Sequence, residues 1–202
     1  MNMAPGIFLV FEGIDGSGKS IQAQLLYETL INRGVNAILT KEPTDGPFGK
    51  KLRQLAQKGR DEMTLQEEYG LFMQDRAEHV ENELLPQLAQ GAVVVCDRYF
   101  YSTMAYQGAL GLDPEAVYQE NSRRFPTPDR VFCITVSPAI GRSRITVSRN
   151  ETPDLFEKEA YLNKVAAIFD AMPYTEIVRI DGTQAVADVQ KAVWAAVEPL
   201  VK

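Results

Sequence analysis

An apolar run, Ile7 to Phe11, ends at Glu12 and opens into Gly13-Ile14-Asp15-Gly16-Ser17-Gly18-Lys19-Ser20, after which Gln22 to Arg33 has helical spacing and closes at Gly34. Strand, glycine-rich loop and helix in that order match G-x-x-x-x-G-K-[ST] in the context that gives the pattern its chemistry. The glycines let successive backbone N–H groups turn inward as a nest for anions, and the helix N-terminus adds a favourable dipole. Lys19 can reach terminal phosphates, and the Ser20 hydroxyl suits Mg²⁺. A nucleoside triphosphate cradled by residues 13–20 is the expectation.

Further strands are predicted at Val35 to Thr40, Ala92 to Cys96, Arg130 to Val136 and Glu176 to Ile180. Between and after them, helical spacing covers Gly49 to Lys58, Thr64 to Gln90, Tyr99 to Gln107, Pro114 to Phe125, Pro138 to about Arg149, Phe156 to Met172 and Ala185 to Val201. Continuously apolar strands alternating with helices indicate a parallel sheet covered on both faces, because right-handed crossovers place the helices there. The expected fold is an α/β three-layer sandwich with a five-stranded parallel sheet. The 202 residues suit one domain, 1–202, and no repeat or composition break divides them.

Composition narrows the partners. With 21 Lys+Arg against 27 Asp+Glu, the net charge of -6 gives no basic field of the kind a duplex-binding protein uses. Small molecules are expected, not nucleic acid. No apolar run approaches the roughly 18 residues of a membrane span, and Met1 to Gly6 carries no export pattern, so a cytoplasmic address without membrane partners is expected. Cys96 and Cys133 lie in apolar runs and read as buried free thiols, and His79, the one histidine, reads as a structural or surface residue.

The loop alone does not separate a switch GTPase, a motor or repair ATPase and a kinase of small molecules. The Asn-Lys-x-Asp tetrapeptide expected of a guanine-specific switch is absent. Val93 to Asp97 is an apolar run delivering an acid to the C-terminal edge of the sheet, where ligands bind in open α/β folds. Asp97 is placed there to act on Mg²⁺ or on a phosphoryl acceptor, with an ordinary helix N-cap as the other reading.

The continuation Asp97-Arg98-Tyr99-Phe100-Tyr101-Ser102-Thr103-Met104-Ala105-Tyr106-Gln107-Gly108 resembles the signature segment of thymidylate kinases. Four further segments agree in order: Phe8 to Ser20, Glu42-Pro43-Thr44 with Arg53 downstream, Phe72-x-x-Asp75-Arg76-Ala77-x-His79, and Ile180-Asp181-Gly182-Thr183. The resemblance implies phosphoryl transfer from ATP to dTMP, with Mg²⁺, in a protein that is commonly a homodimer. The helix from Thr64 onward offers an apolar-rich face for such pairing.

Carried onto this chain, the resemblance assigns Gly13, Ile14, Asp15, Gly16, Ser17, Gly18, Lys19, Ser20, Arg142 and Asp181 to ATP, and Ser20 and Asp97 to the metal. Lys19, Asp97, Arg98 and Arg149 would act on the transferring group. Asp15 would meet the deoxyribose 3′-hydroxyl, Arg53 and Arg98 would grip the monophosphate, and Phe48, Thr103, Tyr106 and Gln107 would line the acceptor pocket, with Tyr106 crowding out a ribose 2′-hydroxyl. Phe72 and Arg76 lie one helical turn apart, so the ring could stack on thymine while the guanidinium addresses its edge; core packing and a surface ion pair are the alternative. A lid is expected at about 142–157. Arg142 and Arg149 fall on one helical stripe and Arg144 on another, and Arg149 is favoured as the lid cation because the phosphate loop offers only Gly16 and Ser17. Ile21, Lys41 and Leu155 depart from the usual pattern, the last removing a lid cation. A kinase of another nucleotide or nucleoside, and a non-catalytic ATP-dependent switch, remain as other readings of the residues.

Overall fold

A computed structural model describes residues 6–58, 63–149 and 155–201. Five strands, β1 (Ile7–Glu12), β2 (Ala37–Lys41), β3 (Val93–Asp97), β4 (Arg130–Thr135) and β5 (Ile177–Asp181), form one all-parallel sheet in the order β2-β3-β1-β4-β5. The α/β sandwich with a five-stranded parallel sheet is therefore present.

Alternation along the strands builds the three layers. Phe8, Val10, Val94, Cys96, Val131 and Cys133 face one way and join Met73, Phe100, Met104, Val165 and Phe169 from α3 (Leu65–His79), α5 (Phe100–Gly108) and α8 (Leu155–Ala171). Leu9, Phe11, Val93, Val95, Phe132 and Ile134 face the other way, against Leu26 and Leu30 of α1 (Lys19–Asn32) and Val189, Val193 and Val197 of α9 (Val186–Val197). Each fully buried Leu or Phe contributes about 1.5–3 kcal/mol, so the two apolar layers hold the strand ends in fixed register. Both cysteines are buried and unpaired, as expected.

The helices begin where local chemistry permits. Thr64 caps α3 through a reciprocal pair, its hydroxyl accepting from Glu67 N–H and the Glu67 carboxylate accepting from Thr64 N–H. Asp113 caps α6 (Pro114–Arg124), and Pro138 opens α7 (Pro138–Arg149) after Ser137. The expected single helix over Thr64 to Gln90 is interrupted. A π turn, Val80–Leu84, separates α3 from α4 (Leu85–Ala89), and Leu85 N–H bonds to Val80 C=O, five residues back. Pro86 supplies the reason: its ring would clash with the carbonyl four residues earlier, and the wider turn moves that carbonyl aside. The remaining helix is α2 (Pro47–Lys58). Among the described residues no helix is long and apolar enough to cross a membrane.

Register decides where chemistry can occur. Asp97 pairs across with Phe11 of β1 and with Lys41 of β2, so the acid sits at the end of β1 two residues before the glycine loop opens. Arg98 N–H also donates to Phe11 C=O at 2.9 Å, fastening the segment after β3 to the end of β1.

Candidate active site

The loop after β1 reaches α1 through Gly18, which takes φ +97 and gives the helix no side-chain cap, leaving its first N–H groups for an anion. Gly16 takes φ +78, and a Cβ there would lie 2.1 Å from Gly141 C=O of α7, so loop and helix are in backbone contact. Lys19 is buried under the loop, its Nζ 3.3 Å from Ile14 C=O and 3.7 Å from Asp15 Oδ1. Burial, aided by the charge of Arg98, pushes its ammonium down to about 8. Ser17 Oγ is buried with no hydrogen-bond partner among the described residues.

Facing the loop, Arg98 adopts φ +72 and spreads its guanidinium over several acceptors. It bonds to Asp15 Oδ1, to Ser102 Oγ at 2.8 Å and to Gly13 C=O at 3.4 Å, and lies over the Tyr106 ring with its Cζ 5.1 Å from the centroid. The Tyr106 hydroxyl accepts from Asp15 N–H at 3.2 Å. Burial opposes the charged form of Arg98, but Tyr106, Asp15, Glu12 and Asp97 outweigh it and hold the group cationic. Beneath lies Glu12, 0% exposed, whose carboxylate accepts from Tyr99 N–H, Ser102 N–H and Ser102 Oγ. Burial lifts it to about 7 despite Arg98.

A second constellation lies along α3. Arg76 is 1% exposed and commits four of its N–H groups: Nε and one Nη2 hydrogen to Glu42 Oε2, the other Nη2 hydrogen to Thr103 Oγ1 and one Nη1 hydrogen to Asn121 Oδ1. One Nη1 hydrogen is left over. A surface ion pair does not describe it, because both it and its partner Glu42 are buried. Phe72, on the same face, is half-buried. Gln107 follows Thr103 by one turn on α5 and is fully buried with neither end of its amide bonded among the described residues. Asp75 accepts from Thr44 N–H at 2.9 Å and Thr44 Oγ1 at 2.6 Å, tying down the loop before α2. On α2, Phe48 is half-buried, and Arg53 donates to Pro43 C=O and Asp45 Oδ1, each at 2.9 Å.

One match to known sequences decides what this arrangement belongs to. A family model described as thymidylate kinase matches residues 11–193, spanning the loop, the α3 cluster and the β3–α5 segment. The chain belongs to the thymidylate kinase family. The thymidylate kinase of Desulfotalea psychrophila is 43% identical over 202 residues, covering 100% of this chain and 99% of its own. Those of Xylella fastidiosa strain 9a5c (39% over 196 residues, 97% and 92% covered) and Leptospira borgpetersenii (38% over 185 residues, 91% and 89%) are also similar.

Within this thymidylate kinase family chain, some expected site residues stand apart. Asp181 Oδ1 accepts from Thr183 N–H at 2.9 Å and Thr183 Oγ1 at 2.7 Å, shaping the turn after β5. Arg142 pairs with Glu159 of α8 at 2.9 Å. Arg144, read as pointing away, reaches Gly182 C=O at 2.9 Å and the Gly16 and Ser17 carbonyls at 3.4 Å, behind the loop. It borders a cavity of ≈ 500 Å³ shared with Gly18, Gly182 and Gln184. The Arg149 side chain and residues 150–154 of the expected lid lie outside the described residues. Glu12, Glu42, Ser102, Asn121 and Arg144 carry no expected role in the sequence; Glu12, Glu42 and Ser102 lie within the motif segments, which is the signal available for them, and Asn121 and Arg144 lie in none.

Mg²⁺ can be tested against the donors present. Asp97 Oδ1 is buried with no hydrogen-bond partner among the described residues, and Asp97 and the exposed Ser20 line one cavity of ≈ 490 Å³. No group of three or more His, Cys, Asp or Glu residues suited to a metal occurs among the described residues. One carboxylate and one hydroxyl, both hard oxygen donors, fit an ion that keeps waters and takes its remaining ligands from phosphates.

The Gly16–Gly141 contact gives a direct expectation. A Cβ on Gly141 would lie 2.5 Å from Asp15 C=O. Gly141→Ala should raise intrinsic helix propensity while displacing the loop, and overpacking of this kind costs about 1–3 kcal/mol. Calorimetric titration is expected to show ATP affinity about tenfold weaker.

Proposed function

We propose that this chain transfers the γ-phosphoryl group of ATP to dTMP, releasing ADP and dTDP, with Mg²⁺ on the donor. The observation that carries this reading is the fastening of the β3–α5 segment onto the phosphate loop, through Arg98 N–H to Phe11 C=O and the Arg98 guanidinium to Asp15. Donor and acceptor machinery thereby share one rim of the sheet.

The acceptor is already a phosphate oxyanion, so no general base is required; the chemistry asks for alignment and for cations between two anions. Lys19 would lie along the terminal phosphates of ATP, while Arg98 and Arg53 would hold the acceptor phosphate. Asp97 and Ser20 would hold Mg²⁺, which supplies charge neutralisation on the donor phosphates. Asp15 would take the sugar hydroxyl and Tyr106 would close the sugar face. The Gln107 amide carries a carbonyl acceptor and N–H donors that can match the N3–H donor and a carbonyl of the thymine imide edge, and the spare Arg76 N–H suits a C4 carbonyl. Phe72 and Phe48 would bracket the ring. The cavity beside Arg144 would receive the nucleoside of ATP, while Arg142, Asp181 and Arg149 keep their assignments on the resemblance alone. A homodimer belongs to the same reading, and sedimentation at working concentration decides it.

A coupled assay with ATP, Mg²⁺ and a panel of monophosphates tests the reading. dTMP should be the best acceptor. dUMP, short of one methyl, should lose about 10- to 200-fold in kcat/KM, and bases that leave buried polar groups unpaired should lose more. A different preferred acceptor would reassign the substrate. Asp97→Asn keeps the side-chain shape but removes its charge; kcat should fall about 100-fold or more, with a higher Mg²⁺ requirement in a metal titration.

A further inference from the structure

His79 is buried behind Arg76 and has no part in the transfer step described above. Its Nδ1 lies 3.0 Å from Glu42 Oε1, and its Nε2 lies 2.8 Å from Thr40 Oγ1 and 3.1 Å from Glu83 Oε2. The Thr40 hydroxyl has a single hydrogen, and when it donates this to Glu83 Oε2 at 2.7 Å it can only accept towards His79. Both ring nitrogens then face acceptors, and full satisfaction of the cluster requires the doubly protonated imidazolium. The other oxygen of Glu42 accepts from Arg76 Nε and Nη2 at 2.9 and 2.7 Å. Charge thus alternates along one buried line: Glu83, His79, Glu42, Arg76.

We propose that His79 is a positioning residue for pyrimidine recognition: as an imidazolium it fixes the Glu42 carboxylate, and through Glu42 it fixes the direction in which the spare N–H of Arg76 meets the base. The proposal rests on the reading of the chain as a dTMP kinase. A neutral ring would leave either Glu42 Oε1 or the Thr40–Glu83 pair without its donor, and a buried carboxylate held from one side only can turn, taking the guanidinium with it. An Arg76 donor aimed at C4 favours the carbonyl of thymine and opposes the amino group of cytosine.

Burial alone would lower the pKa of His79, but the bond to Glu42 and the charges of Glu42, Glu83 and Asp75 outweigh it and hold the ring above the ordinary value. The carboxylates facing it come from the loop after β2 (Glu42), the π turn (Glu83) and its own helix (Asp75); the cation nearby is Arg76. Because the pKa is raised, the imidazolium and the alignment it supports persist to higher pH than in a free histidine and are lost as pH climbs through the folded value. The dTMP phosphate, with a second pKa near 6, is already a dianion across most of that range.

Steady-state kinetics of the full chain from about pH 6 to about pH 9 test this with wild type, His79→Gln and Glu83→Gln. Wild type should show a KM for dTMP that climbs on the alkaline side. His79→Gln should start about tenfold higher in that KM, lack the climb and lose about tenfold of the dTMP-over-dCMP preference. Its kcat and KM for ATP should stay within about twofold of wild type at each pH. Glu83→Gln alters a half-exposed side chain and should shift the wild-type climb to lower pH. The proposal is overturned if His79→Gln keeps the wild-type KM profile, or if its kcat and both KM values worsen together. Should His79→Gln not fold, an unmoved climb in Glu83→Gln overturns it instead. Failure of the dTMP kinase reading itself shows separately, as wild type preferring another acceptor.

Discussion

Lys19→Met should lower kcat by about 1000-fold while leaving the fold intact. Methionine matches the length of the lysine stem, and the site is 5% exposed, so the substitution removes charge without opening a cavity. What disappears is the ammonium lying under the glycine loop, beside Ile14 C=O and Asp15. The same burial supplies two signed pH effects. With a folded pKa near 8 against 10.5 for the unperturbed group, Lys19 binds fewer protons folded than unfolded between those values, so it detracts from stability at neutral pH and the cost recedes as pH rises through that window. The Met variant should therefore melt no lower than wild type at pH 7. In wild type, the KM for ATP should rise above about pH 8, with proton uptake on binding, because polyphosphate binds the charged form. A variant that retains even a tenth of wild-type turnover would remove Lys19 from the transfer step.

Arg98→Ala should be nearly as damaging, about 1000-fold in kcat/KM for dTMP. The guanidinium joins Asp15, Ser102, Gly13 and Tyr106, so truncation removes every side-chain tie from Arg98 to the phosphate loop and leaves only its backbone bond to Phe11. It also strips Glu12 of the charge that opposes its burial, so the Glu12 carboxyl should rise above its present value of about 7 and be neutral at physiological pH. Alanine gains nothing from the φ of +72 that Arg98 occupies. Arg98→Lys should rescue poorly, since an ammonium cannot reproduce a planar fork over separate acceptors. Kinetics with dTMP varied at saturating ATP check both variants. Loss confined to the KM for ATP would contradict the assignment.

Much of the fold was legible because continuous apolar runs such as Val93 to Val95 have no stable setting except a sheet covered on both faces. The strand order was not, because a run of valines says nothing about its neighbours; register brought Asp97 beside Phe11. The long helix from Thr64 read as uniform because Pro86 sits near its end, where a proline looks harmless, yet it widened the preceding turn. At the site, glycines and the residues of the β3–α5 segment announced themselves through spacing. The buried ionic line did not, since Glu42, His79 and Arg76 are residue types usually solvated, and only the fold shows them paired out of water. Helical spacing put Arg142 and Arg144 on different stripes of α7. Stripe arithmetic gives such relative directions but not which stripe meets the loop: Arg144 reaches the Gly16 and Ser17 carbonyls, while Arg142 pairs with Glu159 of α8.

The proposed transfer requires two nucleotides to meet end to end in one cleft. Calorimetric titration with a compound joining adenosine and thymidine 5′ to 5′ through a polyphosphate chain tests this most directly. One compound should bind per chain, more tightly than ATP or dTMP alone, and excess of either nucleotide should displace it. Two independent binding events, or displacement by only one of the two nucleotides, would contradict a shared cleft.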